Sequence, residues 1–441
     1  MSHFFVRFSI VAYCFVFATT TALAGELVVR PEPASGVVDV AEPIVWHVQW
    51  RGDDPPTDVR YKVELGFLTE LDSGVLKLDD GRCELRASLS RPGSLLAHFS
   101  AKPASGEERE ALGGVIVAPD KIKASAPRPA DFDAFWDAKI EEIKRVPFNA
   151  KLELADSGRE GVEYWKITLD GYGGTKIRGQ LARPKVAKRS DGKLPALFIP
   201  QWAGLYPIEK AWAVDRAAEG WLVLNVLAHD LPIDEPAEFY EQQAAGRLRD
   251  YWAIDNDDRE TSYFLRMYLS CYQSLEYLRS RPDWDGETLV VNGASQGGQQ
   301  TLVAAALHPG VTAALAMVPA GCDMWGPAAD RMGGWPGWYD CLYGKDPAKV
   351  REACRYFDVV NFAPRIKCPV LVGYGLVDKI CPPEGIQVAA NTIASPKEVI
   401  PLPLGAHLEQ DGSHRTYYER LNEAWLPALR DGKPVPPPKT D

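Results

Sequence analysis

Ser295 lies within Gly293-Ala294-Ser295-Gln296-Gly297-Gly298, a G-x-S-x-G pattern, and is followed by Asp378 and His407 in the order serine, acid, base. These side chain types support acyl transfer. An imidazole takes the serine proton as the oxygen attacks a carbonyl, while a carboxylate holds the other imidazole N–H. A serine on a tight strand-to-helix turn has its hydroxyl lifted clear of the sheet, and small neighbours let strand and helix approach. The backbone N–H of Gln296 then falls at a helix N-terminus, where unpaired donors and the dipole favour a developing oxyanion. Two other histidines follow Ser295: His308 in a helix-ending His-Pro-Gly, and His414 at the start of the last helical pattern. His407 is therefore the expected base.

The surrounding pattern supplies elements to carry these groups. Thr288–Asn292 is a short β-branched strand running into the serine turn, and Gln296–Leu307 is rich in helix formers. Pro369–Tyr374 is an apolar strand that leads to Asp378, and Glu398–Leu402 leads to His407. Further strands are expected at Gly161–Leu169, Lys176–Ala182, Pro195–Ile199, Trp221–Val226 and Ala313–Val318, with helices at Glu209–Glu219, Arg259–Arg279, Glu384–Ala394 and Arg415–Leu429. An antiparallel opening pair followed by alternating strands and helices predicts an α/β fold: a mostly parallel sheet flanked by helices, over residues 131–430. Asp131 is placed to cap a helix through Phe132, Phe135, Trp136 and Ile140.

Upstream, residues 25–118 alternate short strand-like runs with Gly/Pro/Asp turns, which predicts a small all-β, immunoglobulin-like sandwich with Trp46 in its core. Residues 119–130 read as a linker and 431–441 as a disordered Pro-rich tail. Residues 1–24 carry Arg7, an apolar run and Ala22-Leu23-Ala24, the pattern of a cleaved signal peptide, so the mature chain is expected to be secreted or periplasmic. Removing that segment takes the net charge from −11 to −12, an acidity that argues against nucleic acid and anionic membrane partners and suits a neutral substrate. Seven cysteines remain after cleavage, an odd number that excludes full pairing and fixes no disulfide partners.

From about Asp131 to Leu429 the chain resembles carbohydrate esterase family seven, the acetyl xylan esterase and cephalosporin-C deacetylase group of the α/β-hydrolases. The similar stretches are Asp131-Phe132-Asp133-Ala134-Phe135-Trp136, Ser295-Gln296-Gly297-Gly298, Tyr356 to Ala363, Gly375 to Pro383 and Pro396-Lys397-Glu398. The resemblance implies Ser295 as nucleophile, Asp378 as acid and His407 as base, with an oxyanion hole made by the backbone N–H groups of Gln296 and Leu205. Three departures stand out. Leu205 occupies the place of a tyrosine in a Gln-Tyr-x-Gly-Tyr segment, Leu227-Ala228-His229 replaces an Arg-Gly-Gln element, and His407-Leu408 replaces a His-Glu pair. His229 either lines the pocket or is a structural imidazole bonded to Asp230. The excursion between Ala313–Val318 and Pro369 holds Trp325, Trp335 and Trp338, whose flat faces could stack on sugar rings or simply fill the cap.

The expected reaction is removal of acetyl groups from an acetylated carbohydrate such as xylan, or from another small acetyl ester. No metal or organic cofactor is implied by any ligand motif. The alternatives are a related serine hydrolase acting on other esters or peptides, and a non-catalytic carbohydrate-binding protein on the same fold. The β region is too short for the propeller that accompanies the peptidases. The oligomeric state is not legible.

Overall fold

The computed structural model describes residues 25–104, 106–186 and 192–438, so the signal segment read over residues 1–24 and the end of the tail at 439–441 lie outside it. The first eight strands are β1 (Glu26–Glu32), β2 (Val37–Val38), β3 (Ile44–Arg51), β4 (Asp58–Leu65), β5 (Thr69–Lys77), β6 (Arg82–Ala87), β7 (Gly93–Ala101) and β8 (Arg109–Val117). They form two sheets, ordered β1-β3-β6 and β2-β8-β7-β4-β5. One apolar core lies between them: Val29, Trp46 and Leu85 face Val63, Phe99 and Val115, and Trp46 is fully buried. This is the expected sandwich, with alternating residues of each strand turned inward. The sequence reading missed β5, because Thr69–Ser73 is exposed at every position and shows no apolar period.

The remaining strands are β9 (Lys151–Ala155), β10 (Val162–Asp170), β11 (Lys176–Pro184), β12 (Leu194–Pro200), β13 (Leu222–Val226), β14 (Trp284–Ala294), β15 (Ala313–Met317), β16 (Val370–Gly375) and β17 (Lys397–Leu402). They build one nine-stranded sheet in the order β17-β16-β15-β14-β12-β13-β11-β10-β9. Pairing is parallel from β13 to β17 and antiparallel from β9 to β11, and β11 also pairs antiparallel with β13. The helices are α1 (Phe132–Lys144), α2 (Ala211–Glu219), α3 (Ala237–Ala245), α4 (Tyr263–Ser280), α5 (Gln296–Leu307), α6 (Pro347–Cys354), α7 (Val359–Phe362), α8 (Pro383–Thr392), α9 (Arg415–Glu419) and α10 (Leu426–Arg430).

The sheet is apolar on both faces, as parallel strands under helices must be: all five residues of β13 and of β15 are buried. One face packs against α1, α4 and α5, the other against α2 and the C-terminal helices. Asp131 does precede α1, but its carboxylate makes no cap bond and instead pairs with Arg259 at 2.8 Å and accepts from Tyr356. Phe132 in turn lies against Tyr356 and Phe362, so the aromatic stretch at 132–136 and the stretch at 356–363 form one cluster. Among the described residues no helix is long and apolar enough to cross a membrane. All seven cysteines of the described chain carry free thiols.

Candidate active site

The path from β14 into α5 dictates the first feature of the site. Ser295 adopts φ 55° and ψ −125°, a conformation that side chains rarely take, and its hydroxyl opens onto a cavity of 570 Å³. The turn is this tight because its neighbours are glycines. A Cβ on Gly293 would sit 2.5 Å from Gly297, and one on Gly297 would sit 2.7 Å from the Pro200 carbonyl oxygen.

Two strand ends deliver the other groups. Asp378 follows β16 and is fully buried; its Oδ1 accepts from the backbone N–H groups of Ile380 at 2.8 Å and Cys381 at 2.9 Å. Its Oδ2 lies 2.9 Å from His407 Nδ1, and His407 Nε2 lies 2.9 Å from Ser295 Oγ. With the proton on Nδ1 held by the carboxylate, Nε2 is left to accept from the serine hydroxyl. The structure therefore brings together three residues separated by 112 positions at their widest.

The loop after β12 forms the serine side of the cavity through Trp202 and Ala203. The Leu205 side chain packs on the central core, away from that wall, and its backbone N–H has no hydrogen bond among the described residues. Polar side chains hold this loop to α5. Gln201 accepts from Ala228 N–H at 3.0 Å through Oε1 and from Gln300 Nε2 at 2.8 Å through its carbonyl. Gly204 N–H donates to Tyr251 Oη at 3.3 Å, and Tyr251 donates to Gln296 Oε1 at 2.5 Å.

His229 completes that clamp, which corrects both readings of it. It does not line the cavity, and its partner is not Asp230, which pairs with Arg178 at 3.0 Å. Instead, Nε2–H donates to the Gly204 carbonyl at 3.1 Å and Nδ1 accepts from Tyr263 Oη at 2.7 Å. Burial drives its pKa down to about 3, so the ring is neutral. No local motif marks Tyr251 or Tyr263; they reach His229 from 22 and 34 residues away in sequence.

Of the three cap tryptophans, the structure places Trp335 on the cavity wall. Trp338 is fully buried against Phe264 and Phe357, and Trp325 lies over α6 with Nε1 donating to the Arg351 carbonyl at 3.0 Å. Both fill the cap, and neither can stack on a ligand there. The rim is apolar and exposed: Trp202, Ile380 and Leu408 are 42%, 47% and 72% accessible, the kind of surface that marks a binding mouth. Glu409, His414 and Tyr418 supply polar atoms to the same cavity.

Asp378, Cys381 and His407 bring their ligand atoms within 4.8 Å of one another. That set suits a cation poorly. Burial holds the Cys381 thiol well above its ordinary pKa, and the carboxylate and imidazole are already bonded to each other.

The acid loop is fixed from the other side by the sandwich. A Cβ on Gly114 of β8 would lie 1.8 Å from the Leu376 carbonyl oxygen, and Val377 packs with Phe67 and Leu96. Glu384, in the first turn of α8, accepts through Oε1 from both N and Oγ of Ser94 at 2.7 Å.

The chain is similar to known esterases. A family model for acetyl xylan esterases matches residues 120–420. The acetyl esterase Axe7A of Xylanibacter ruminicola is 32% identical over 355 residues, 79% of each chain. The solved structure of an acetyl xylan esterase from Paenibacillus sp. R4 aligns at 25% identity and a TM-score of 0.57, covering 69% of this chain and 98% of that one. Acetyl xylan esterase 1 from Thermoanaerobacterium shares the fold at 22% identity and the same TM-score, over 68% and 96% of the two chains.

Proposed function

From the fact that this chain belongs to the acetyl xylan esterase family and is a carboxylic ester hydrolase, we propose that it removes acetyl groups from acetylated xylan or xylo-oligosaccharides, with Ser295, His407 and Asp378 as its catalytic residues. The observation that carries this reading is the unbroken line of 2.9 Å contacts from Ser295 Oγ through His407 to Asp378. Ser295 Oγ attacks the acetyl carbonyl as His407 Nε2 takes its proton. The ester C–O bond then breaks, and the imidazolium returns the proton to the departing sugar hydroxyl. Water, deprotonated by the same nitrogen, attacks the acetyl-serine and releases acetate. Asp378 stays ionised and steadies the imidazolium through Nδ1–H.

The oxyanion is held by Gln296 N–H at the start of α5 and by Leu205 N–H. The latter is unspent, whereas that of neighbouring Gly204 is committed to Tyr251. The signal-like segment at residues 1–24 supports action outside the cytoplasm.

The test is release of acetate from acetylated xylo-oligosaccharides by the wild type and Ser295→Ala. The substitution is expected to lower kcat by on the order of 10⁴-fold or more. Equal rates would end the assignment, and faster cleavage of a peptide amide than of the acetate would redirect it to a peptidase.

A further inference from the structure

A second crevice of 270 Å³ adjoins the catalytic cavity and shares Trp202, Ala294, Met317 and Tyr418 with it. Its position follows from the topology. After β12 the chain crosses through α2 to β13, and after β14 it crosses through α5 to β15, so the strand order diverges between β12 and β14. Helices on opposite faces leave a gap at that switch point, outside the carboxyl ends of the strands, where open α/β sheets take ligands. Ile199 to Trp202 from β12 and Asn292 to Ala294 from β14 line it here.

The chemistry of the crevice is specific. Trp202 is 42% accessible and backed by Trp212, ring centroids 4.4 Å apart, with Tyr206 closing the cluster at 5.7 Å. An exposed indole held rigid by two more aromatics offers a flat face to a ring that presents C–H groups. A polar group remains available for hydroxyls: Asn292, half-buried on the crevice wall, makes no side-chain hydrogen bond among the described residues. The cation of the crevice is committed: Arg216 binds Glu219 at 3.0 Å and Asn422 at 2.7 Å. An apolar wall, one uncommitted amide and no uncommitted charge select a neutral hydroxylated ring over an anion.

We propose that this crevice is a second sugar subsite, in which Trp202 stacks on a neutral pyranose next to the acetylated residue while Asn292 meets its hydroxyls. The inference rests on the deacetylation reading above and extends it from an acetyl group to the chain that bears it. It also assigns the stacking role to the loop after β12, where Trp325 and Trp338 of the cap cannot serve.

The experiment compares wild type, Trp202→Ala and Asn292→Ser on 4-nitrophenyl acetate, 4-nitrophenyl butyrate and acetylated xylotetraose. Each substitution is expected to lower kcat/KM for the tetraose about tenfold more than for 4-nitrophenyl acetate, chiefly through KM. Parallel losses on both acetates would overturn the subsite. So would a selective change in the butyrate-to-acetate ratio, which would make the crevice an acyl pocket. If the wild type cleaves 4-nitrophenyl acetate but not the tetraose, the deacetylation reading fails separately. Calorimetry of unacetylated xylotetraose with Ser295→Ala then decides the subsite. Binding that Trp202→Ala abolishes upholds it, and absence of binding overturns it.

Discussion

The two walls of the cavity at Ser295 are held in place by different physics. On the serine side, the loop from Gln201 to Leu205 is tied by hydrogen bonds to Tyr251, His229 and Gln300, all within the α/β unit. On the acid side, Leu376 and Val377 are pressed against β8, Phe67 and Leu96 of the sandwich, with Glu384 bonded to Ser94 as the main polar tie. Hydrogen bonds fix direction, which an oxyanion donor needs within a few tenths of an ångström. Close packing fixes position, which suffices for a carboxylate already aimed by Ile380 and Cys381 N–H. The sandwich thus packs directly on the segment that leads to Asp378.

The largest test of this contrast is Gly114→Ala. Its Cβ has no room beside Leu376, so the acid loop or β8 must move. Overpacking of this kind costs about 1–3 kcal/mol, and a displacement near 1 Å at the triad lowers kcat by on the order of 10²-fold. Thermal unfolding and acetate-release kinetics check both. Stability lost with kcat intact would mean that the sandwich does not set Asp378.

On the serine side, His229→Leu leaves the Gly204 carbonyl without its donor and takes one partner from the Tyr263 hydroxyl, at a cost of about 1–3 kcal/mol. We expect kcat to fall with little change in KM, and His229→Gln to restore part of it. A rise in KM alone would place His229 in substrate binding instead.

Ser94→Ala is a milder challenge to the acid side. It removes one of the two bonds to Glu384 Oε1 but keeps the backbone donor, so the expected loss is about 1 kcal/mol in denaturant unfolding with kcat nearly unchanged.

A further expected effect concerns pH. His229 titrates near 3 when folded, against 6.5 for an ordinary imidazole. Between those values the unfolded chain binds a proton that the native chain refuses, so stability falls as pH drops through that window. His229→Gln should flatten that fall, seen as a smaller difference in melting temperature between pH 7 and pH 4.5. An unchanged difference would show that the clamp tolerates a charged ring.

Much of the site was legible because the relevant signals are local. G-x-S-x-G between a β-branched strand and an Ala-rich helix identifies the serine turn, and Asp378 and His407 each stand just beyond an apolar strand. β5 and β9 were missed because their side chains face solvent and leave no period to read. Trp325 and Trp338 were candidates on composition, yet a tryptophan in a cap serves equally as filler, and nothing in its neighbours distinguishes the two uses. The serine-side clamp was out of reach for a related reason: His229, Tyr251 and Gln296 come from three separate segments, joined by an edge-to-face ring contact and a hydroxyl–amide hydrogen bond.

Alone, the sequence determined the order of chemistry along the chain, the α/β alternation that carries it and the glycines that permit the strained turn. These follow from short-range sterics and periodicity, which each segment expresses by itself. Tertiary structure decided which indoles meet the cavity, that His229 binds Gly204 and Tyr263, and that an N-terminal sandwich braces the acid loop. Such choices depend on surfaces that meet only after the chain has closed on itself, where packing and hydrogen-bond geometry select among pairings that the sequence leaves equally open.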